Sequence, residues 1–304
     1  MLDTFRLYLP QSSVPDIELV SELPTRFSCI QSHESYGRYW YSGIYKNLKW
    51  SVREDGLSIS GSLSKFKFGN NYTNLKQSDL QTVFEELNNV FGICLNNAKI
   101  TQIDLGINLA CKYPPYLYYK YLGRSPYYPS RNINNTTLTY SNGTRSKQLY
   151  DKLKEMRSKG DKVPWSLSSL NILRFEVKYR KKWTRFFNKK SIRVKDLLSD
   201  SFFNELKERL DEEFFSIQRV YHSNINRESI TKVSEFKNLL VFQAIKHLGI
   251  NEIYDLLDEC VLMDSQNRTR SKRMCLDINA LPIESTIDLY DQLTTTFNQT
   301  LSKL

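Results

Sequence analysis

Three short alternating strings constrain this chain more than any other feature. They are Ile103-Asp104-Leu105-Gly106-Ile107-Asn108, Leu149-Tyr150-Asp151-Lys152 and Leu173-Arg174-Phe175-Glu176-Val177-Lys178. A period of two predicts half-buried strands, with alternate side chains on opposite faces. One face then carries Ile103/Leu105/Ile107, Leu149/Asp151/Leu153 and Leu173/Phe175/Val177. The other carries Asp104, Gly106 and Asn108, then Tyr150, Lys152 and Lys154, then Arg174, Glu176 and Lys178. That second set combines acids able to hold a hard cation, a phenol able to attack phosphorus and bases able to grip phosphate.

The surrounding sequence predicts an α+β fold. Phe5–Leu9, Arg38–Tyr41, Leu48–Val52 and Leu57–Leu63 read as strands. A helix opens at Ser78, with Gln81 as a capping-box partner and Leu80, Val83, Phe84, Leu87, Val90 and Phe91 as its apolar stripe. Residues 111–135, rich in Pro, Tyr and Asn, read as a long loop, either pinned by aromatic packing or stacked on single-stranded DNA. Thr136–Thr139 and Gln148–Lys154 form a hairpin around Asn142-Gly143, a strong turn signal. From about residue 195 the chain turns helical, with Gly249 placed to end the helix Phe236–Leu248. The helix after it carries Glu252, Asp255, Asp258 and Glu259, the wrong sign for a DNA groove. We therefore expect a sheet domain over residues 1–220 and a helical domain over 221–304 for packing, oligomerisation or accessory work.

The formal charge is +10, and its distribution matters more than its size. Residues 145–195 hold 17 Lys/Arg and 4 Asp/Glu, while the rest of the chain holds 26 and 29. The basic segment contains two of the three strings, which points to a polyanion partner. Candidate DNA contacts are Arg145, Lys147, Lys154, Arg174, Lys178, Arg180, Lys181 and Lys182. The five cysteines form no CxxC pair, the N-terminal residues lack a signal-peptide pattern and no apolar run approaches a membrane span. A cytoplasmic protein with no membrane partner is the expectation.

Asp104 and Glu176 each sit within an apolar strand, where an isolated charge is costly. Ion pairs with Arg174 or Lys178 would be one remedy. Sharing one divalent cation is the other, with Asn108 as a further oxygen donor. Oxygen ligands suit Mg²⁺ or Mn²⁺ rather than zinc, and His33, His222 and His247 share no ligand spacing. Tyr150 is the candidate nucleophile, and Lys152 on the same strand face would favour its phenolate. If this stretch were helical, Lys154 would take the place of Lys152 beside the phenol.

The order Ile-Asp-Leu, then Tyr-Asp-Lys-x-x-Glu from Tyr150 to Glu155, then Arg-Phe-Glu-Val resembles the replication initiators of rolling-circle plasmids and filamentous phages. Gly61-Ser62-Leu63-Ser64-Lys65-Phe66 with Gly69-Asn70-Asn71 resembles an early motif of the gene II/gene X replication proteins. The likeness covers residues 1 to about 220. It implies a five-stranded antiparallel sheet of the HUH-endonuclease type, with helices on one face. It implies a site-specific nick at the origin through a 5′-phosphotyrosine, with Tyr150 as nucleophile and Asp104 and Glu176 as the acids. It also implies origin DNA as partner, host helicase and polymerase as collaborators, a bacterial host cell as setting and a homodimer as a candidate assembly. The His-hydrophobic-His motif that names the HUH group is absent from this sequence. The competing reading is a non-catalytic DNA-binding replication or copy-control factor on the same scaffold.

Overall fold

The three alternating strings form strands, and they lie side by side. The computed structural model describes residues 1–28, 30–134, 136–180, 183–220, 232–279 and 289–304. In chain order the strands are β1 (Leu2–Pro10), β2 (Ile30–Ser35), β3 (Arg38–Tyr45), β4 (Leu48–Arg53), β5 (Gly56–Ser62), β6 (Lys99–Cys111), β7 (Ser130–Ile133), β8 (Thr137–Ser141), β9 (Arg145–Asp151) and β10 (Asn171–Tyr179). The helices are α1 (Leu19–Glu22), α2 (Leu63–Phe68), α3 (Gln77–Phe91), α4 (Lys152–Ser158), α5 (Val194–Leu197), α6 (Asp200–Phe215), α7 (Val233–Leu248), α8 (Ile250–Glu259), α9 (Ser265–Asn279) and α10 (Leu289–Leu301).

Among the described residues the strands make one open sheet in the order β2-β3-β4-β5-β1-β6-β10-β9-β8-β7. Every pairing is antiparallel. The sheet therefore has ten strands where five were expected. The β2–β5 meander extends it through β5–β1, and the β7–β8 hairpin extends the other edge. The Asn142 turn forms between β8 and β9 as read, with Asn142 Oδ1 accepting from the N–H groups of Thr144 and Arg145, both at 2.9 Å.

One face of the sheet is the core. Phe5, Leu7, Trp50, Ile59, Leu105, Ile107, Leu149, Phe175 and Val177 are all buried there, each contributing about 1.5–3 kcal/mol through lost water contact. α3 and α6 cover it. Phe84 meets Phe5 edge-on at 6.1 Å, and Phe214 meets Phe175 at 5.3 Å. Phe297 of α10 stacks on Phe214 at 4.0 Å. The cap of α3 differs from the expected Ser78/Gln81 box: the Asp79 carboxylate accepts from the Lys76 N–H at 2.8 Å, so the helix starts earlier than read.

The opposite face is polar, but one end of it is covered too. β9 stops at Asp151, whose carboxylate accepts from the Lys154 N–H at 2.9 Å and so starts α4. Leu153 and Met156 of α4 then pack on Ile172 of β10. Helices thus lie on both faces rather than one.

The chain divides into two compact units. The first is Met1–Tyr119, Arg124–Gln218 and Leu293–Leu304, and holds the sheet. The second is Lys120–Gly123 and Arg219–Gln292. In it α7, α8 and α9 bury Phe242, Ile245, Cys275 and Ile278. Gly249, at φ +88°, ends α7 as its spacing predicts. Among the described residues no helix is long and apolar enough to cross a membrane.

Candidate active site

Register assembles the site. Across β6, β10 and β9, Asn108 pairs with Arg174 and Arg174 with Tyr150; Gly106 pairs with Glu176, and Asp104 with Lys178. Paired residues share a face, so the three strings do become one surface. Tyr150 donates its hydroxyl to Glu176 Oε2 at 3.3 Å. Both residues line a cleft of about 380 Å³ with Lys154, Lys178, Glu155 and Lys159. Lys178 Nζ stands 3.5 Å from the same Glu176 oxygen.

Asp104 lies on the neighbouring strand, 5% exposed, and its Oδ1 has no hydrogen-bond partner among the described residues. Burial, then repulsion from Glu176, pushes its carboxyl up to about 7. Glu176 is also raised, by burial and by Asp3 against the pull of Arg174. Two buried acids that resist ionising together have the character of a site awaiting positive charge.

Arg174 is the organiser of the site and is itself buried. Its guanidinium pairs with Asp3 Oδ2 at 2.9 Å, donates to Asn108 Oδ1 at 3.0 Å and reaches the Asn71 carbonyl at 3.3 Å. Gly106 makes room for it: a Cβ there would fall 2.6 Å from Arg174 Nη2. The strand glycine is thus explained by a side chain of the protein. Asn108 spends its amide nitrogen on the carbonyls of Asn71 and Tyr72, at 3.2 and 2.9 Å. Both ends of its side chain are engaged in positioning Arg174 and the 70–74 loop.

That loop follows the early motif. Ser62 Oγ accepts from the Lys65 N–H at 3.3 Å to cap α2 and stands 3.1 Å from Asp3 Oδ1. Gly69 turns the chain at φ +71°, and Asn70 Oδ1 accepts from the N–H groups of Tyr72 and Thr73.

Asp3 is a site residue that sequence alternation misses. Period-2 parity along Phe5–Leu9 assigns Asp3 to the apolar face. A β-bulge overturns that parity: Leu2 pairs with Leu105 and Phe5 with Ile103, so Asp3 and Thr4 both oppose Asp104. Burial would push the Asp3 carboxyl up, but the Arg174 guanidinium, together with Glu176, Lys152 and the Ser62 hydroxyl, outweighs it and holds it below the usual range. Asp3 and Glu176 influence each other, Asp3 shifting downward and Glu176 upward. The only sequence signal is an acid two residues before an apolar alternation.

The basic residues divide. Lys154 and Lys178 reach the cleft, and Arg180 is exposed just beyond β10. Lys181 and Lys182 lie outside the described residues. Arg145 and Lys147 are a correction to the expected DNA surface. They share the parity of Leu149 and face α6, where Lys147 is fully buried and donates to the Glu213 carbonyl and Ser216 Oγ, both at 2.7 Å. Arg145 pairs with Glu213 at 2.5 Å. Lys152 is buried and ion-paired with Glu155 at 2.7 Å, its Nζ 5.9 Å from the Tyr150 ring centroid. The expected phenolate is not favoured: burial raises the Tyr150 pKa, Arg174 opposes, and Glu176 and Glu155 raise it further. The phenol is held in its protonated form.

Among the described residues no three His, Cys, Asp or Glu side chains are grouped to hold a metal ion. The donor set nevertheless fits a hard cation in part, because Asp104 Oδ1 is orphaned and Glu176 offers oxygen beside it. Mg²⁺ commonly takes one or two carboxylates and completes its shell with water and substrate phosphate.

Comparison with known proteins identifies a family. A family model that describes the N-terminal part of a phage replication-associated protein, the gene II protein, matches residues 18–210. No curated protein matches the chain.

Proposed function

Since the chain belongs to the gene II family of phage replication-associated initiators, we propose that it starts rolling-circle replication by nicking one strand of its origin DNA through Tyr150. The observation that carries this reading is the Tyr150 hydroxyl donating to Glu176 in an open cleft, beside an unpartnered Asp104 carboxylate oxygen.

In the proposed reaction the Tyr150 oxygen bonds to the scissile phosphorus and the 3′ oxygen of the preceding nucleotide leaves. A 5′-phosphotyrosine and a free 3′-hydroxyl result, and attack by a 3′-hydroxyl reverses the step and rejoins the strand. Glu176 accepts the phenol's proton on Oε2, the oxygen to which the hydroxyl already donates, and so stands within the reach a general base needs. Asp104 and Glu176 would hold Mg²⁺ or Mn²⁺, which would supply Lewis-acid polarisation of the phosphate. Arg174 acts through position, keeping a fixed positive charge behind the phenol. Lys154 and Lys178 line the cleft where phosphates would lie.

Incubating the protein with supercoiled origin DNA and Mn²⁺ should convert it to open circles with protein on a 5′ end. Tyr150→Phe should abolish both products, a loss of about 10³-fold or more as for other nucleophile deletions. Nicking by Tyr150→Phe at the wild-type rate removes the assignment. Salt-sensitive binding without cleavage, with either metal, would establish the non-catalytic alternative.

A further inference from the structure

The polar face of the sheet continues beyond the cleft across β1–β5, and its chemistry there is different. Two rows of side chains cross the strands in register. Ser42 pairs with Ser51 and Ser51 with Ser58. Beside them, Lys49 pairs with Ser60, Ser60 with Arg6, and Arg6 with Gln102 of β6. The small serines leave a trough of about 910 Å³ between Ile30 and Arg6.

Three features of this trough point to one kind of ligand. Arg6 and Lys49 are exposed, and neither forms an ion pair among the described residues. The hydroxyls of Ser51, Ser58 and Ser60 make no hydrogen bond among the described residues, so they remain available as donors. From Thr4 to Tyr8 of β1 and across β2–β5, this face bears no carboxylate. Cationic ends, free hydroxyls and the lack of a carboxylate match the backbone of a sugar-phosphate chain.

We propose that the β1–β5 face is a second binding surface, which takes the phosphate backbone of single-stranded DNA leading to or from the Tyr150 cleft. The proposal rests on the nicking function above. Its geometry sets a length. Lys49 and Tyr150 are five strand spacings apart in the sheet order, about 24 Å at ~4.8 Å each. Their rows are six residues apart along β6, Gln102 to Asn108, or about 20 Å at ~3.3 Å per residue. The resulting separation of roughly 30 Å corresponds to about nine nucleotides at a stacked rise of ~3.4 Å.

The test uses full-length Tyr150→Phe protein, which cannot consume its ligand, and labelled origin oligonucleotides. One oligonucleotide extends about four nucleotides to either side of the nick and the other about twelve, short of and beyond the span above. Arg6→Glu/Lys49→Glu should lose at least about tenfold affinity for the longer one, and the slope of log affinity against log salt should fall by about 1.4, two contacts at ~0.7 each. Affinity for the shorter one should be unchanged, as should its nicking when Tyr150 is restored. Arg6→Gln/Lys49→Gln should give the same pattern with a smaller loss. Unchanged affinity for the longer oligonucleotide, equal losses on both lengths, or a loss seen only with duplex DNA overturns the inference and leaves the nicking reading standing. If no version binds either oligonucleotide, the function itself is wrong and the inference falls with it.

Discussion

The two faces of β9 and β10 each bury a cluster of charges, and the clusters are built on opposite terms. On the helix-covered face, Glu213 takes Arg145 at 2.5 Å, the Tyr128 hydroxyl at 2.8 Å and Lys147 at 3.4 Å. Lys147 in turn reaches the Glu213 carbonyl and Ser216, and stands over the Tyr128 ring at 4.6 Å. Burial lowers Lys147 to about 8, with Glu213 opposing. On the polar face, Asp104 keeps an orphaned oxygen and Glu176 is raised. A buried charge network that satisfies its members serves the fold, whereas one left short of positive charge is suited to a ligand that brings it. Burial of charged groups is common to both and does not distinguish them.

Substitutions on the two sides should separate along that line. Glu176→Gln removes the carboxylate proposed to accept the Tyr150 proton. Nicking should fall by about 10²–10⁴-fold with stability unchanged or raised, as measured by open-circle formation beside a urea titration. Glu213→Ala should do the reverse. It strands a buried Lys147, so stability should drop by about 3 kcal/mol, while the folded fraction nicks at the wild-type rate. A large loss of activity per folded molecule in Glu213→Ala would erase the contrast between the two clusters.

Asp104→Asn tests the strain on the polar face by pH. The folded carboxyl titrates at about 7, above its ordinary 3.8, so between these values the folded state holds a proton that the unfolded state has released. Stability from this group is full below about pH 4 and lost as pH rises through about 7. In chelator, the asparagine variant should gain roughly 4 kcal/mol over wild type at about pH 8 and nothing at about pH 4, followed by urea unfolding. Adding Mn²⁺ at the higher pH should raise the melting temperature of wild type more than that of the variant. Gly106→Ala should push Arg174 out of place, costing about 1–2 kcal/mol and lowering nicking by about 10–10²-fold, as misplacement of a positioning group does. Lys154→Ala, at the exposed cleft rim, should cost under about 0.5 kcal/mol of stability and show only as weaker, less salt-dependent DNA binding.

Much of the candidate site is legible in the sequence because alternation is a local property. Asp104, Tyr150, Arg174, Glu176 and Lys178 share a face by parity, and the structure places them so. Counting positive charge without applying that parity misplaces Lys147: its number is odd, like that of Leu149, and it faces the core. Lys152 departs for another reason. Asp151 caps a helix, so strand parity ends one residue before it. Asp3 departs because a bulge depends on the partner strand, and no property of Leu2–Phe5 announces one.

Residue order alone settles which side chains can share a face, where the positive charge concentrates and that an α+β fold results, since each follows from a few neighbouring positions. Only folding in three dimensions makes the sheet ten strands wide, brings Asp3 to the acids and lets Gly106 admit Arg174. It likewise fixes which buried charges are paired and which are left wanting. These outcomes depend on pairing between segments far apart in the chain, such as Asp3 with Arg174 across β1, β6 and β10, and the energy of a buried charge is set by the neighbours that register brings to it.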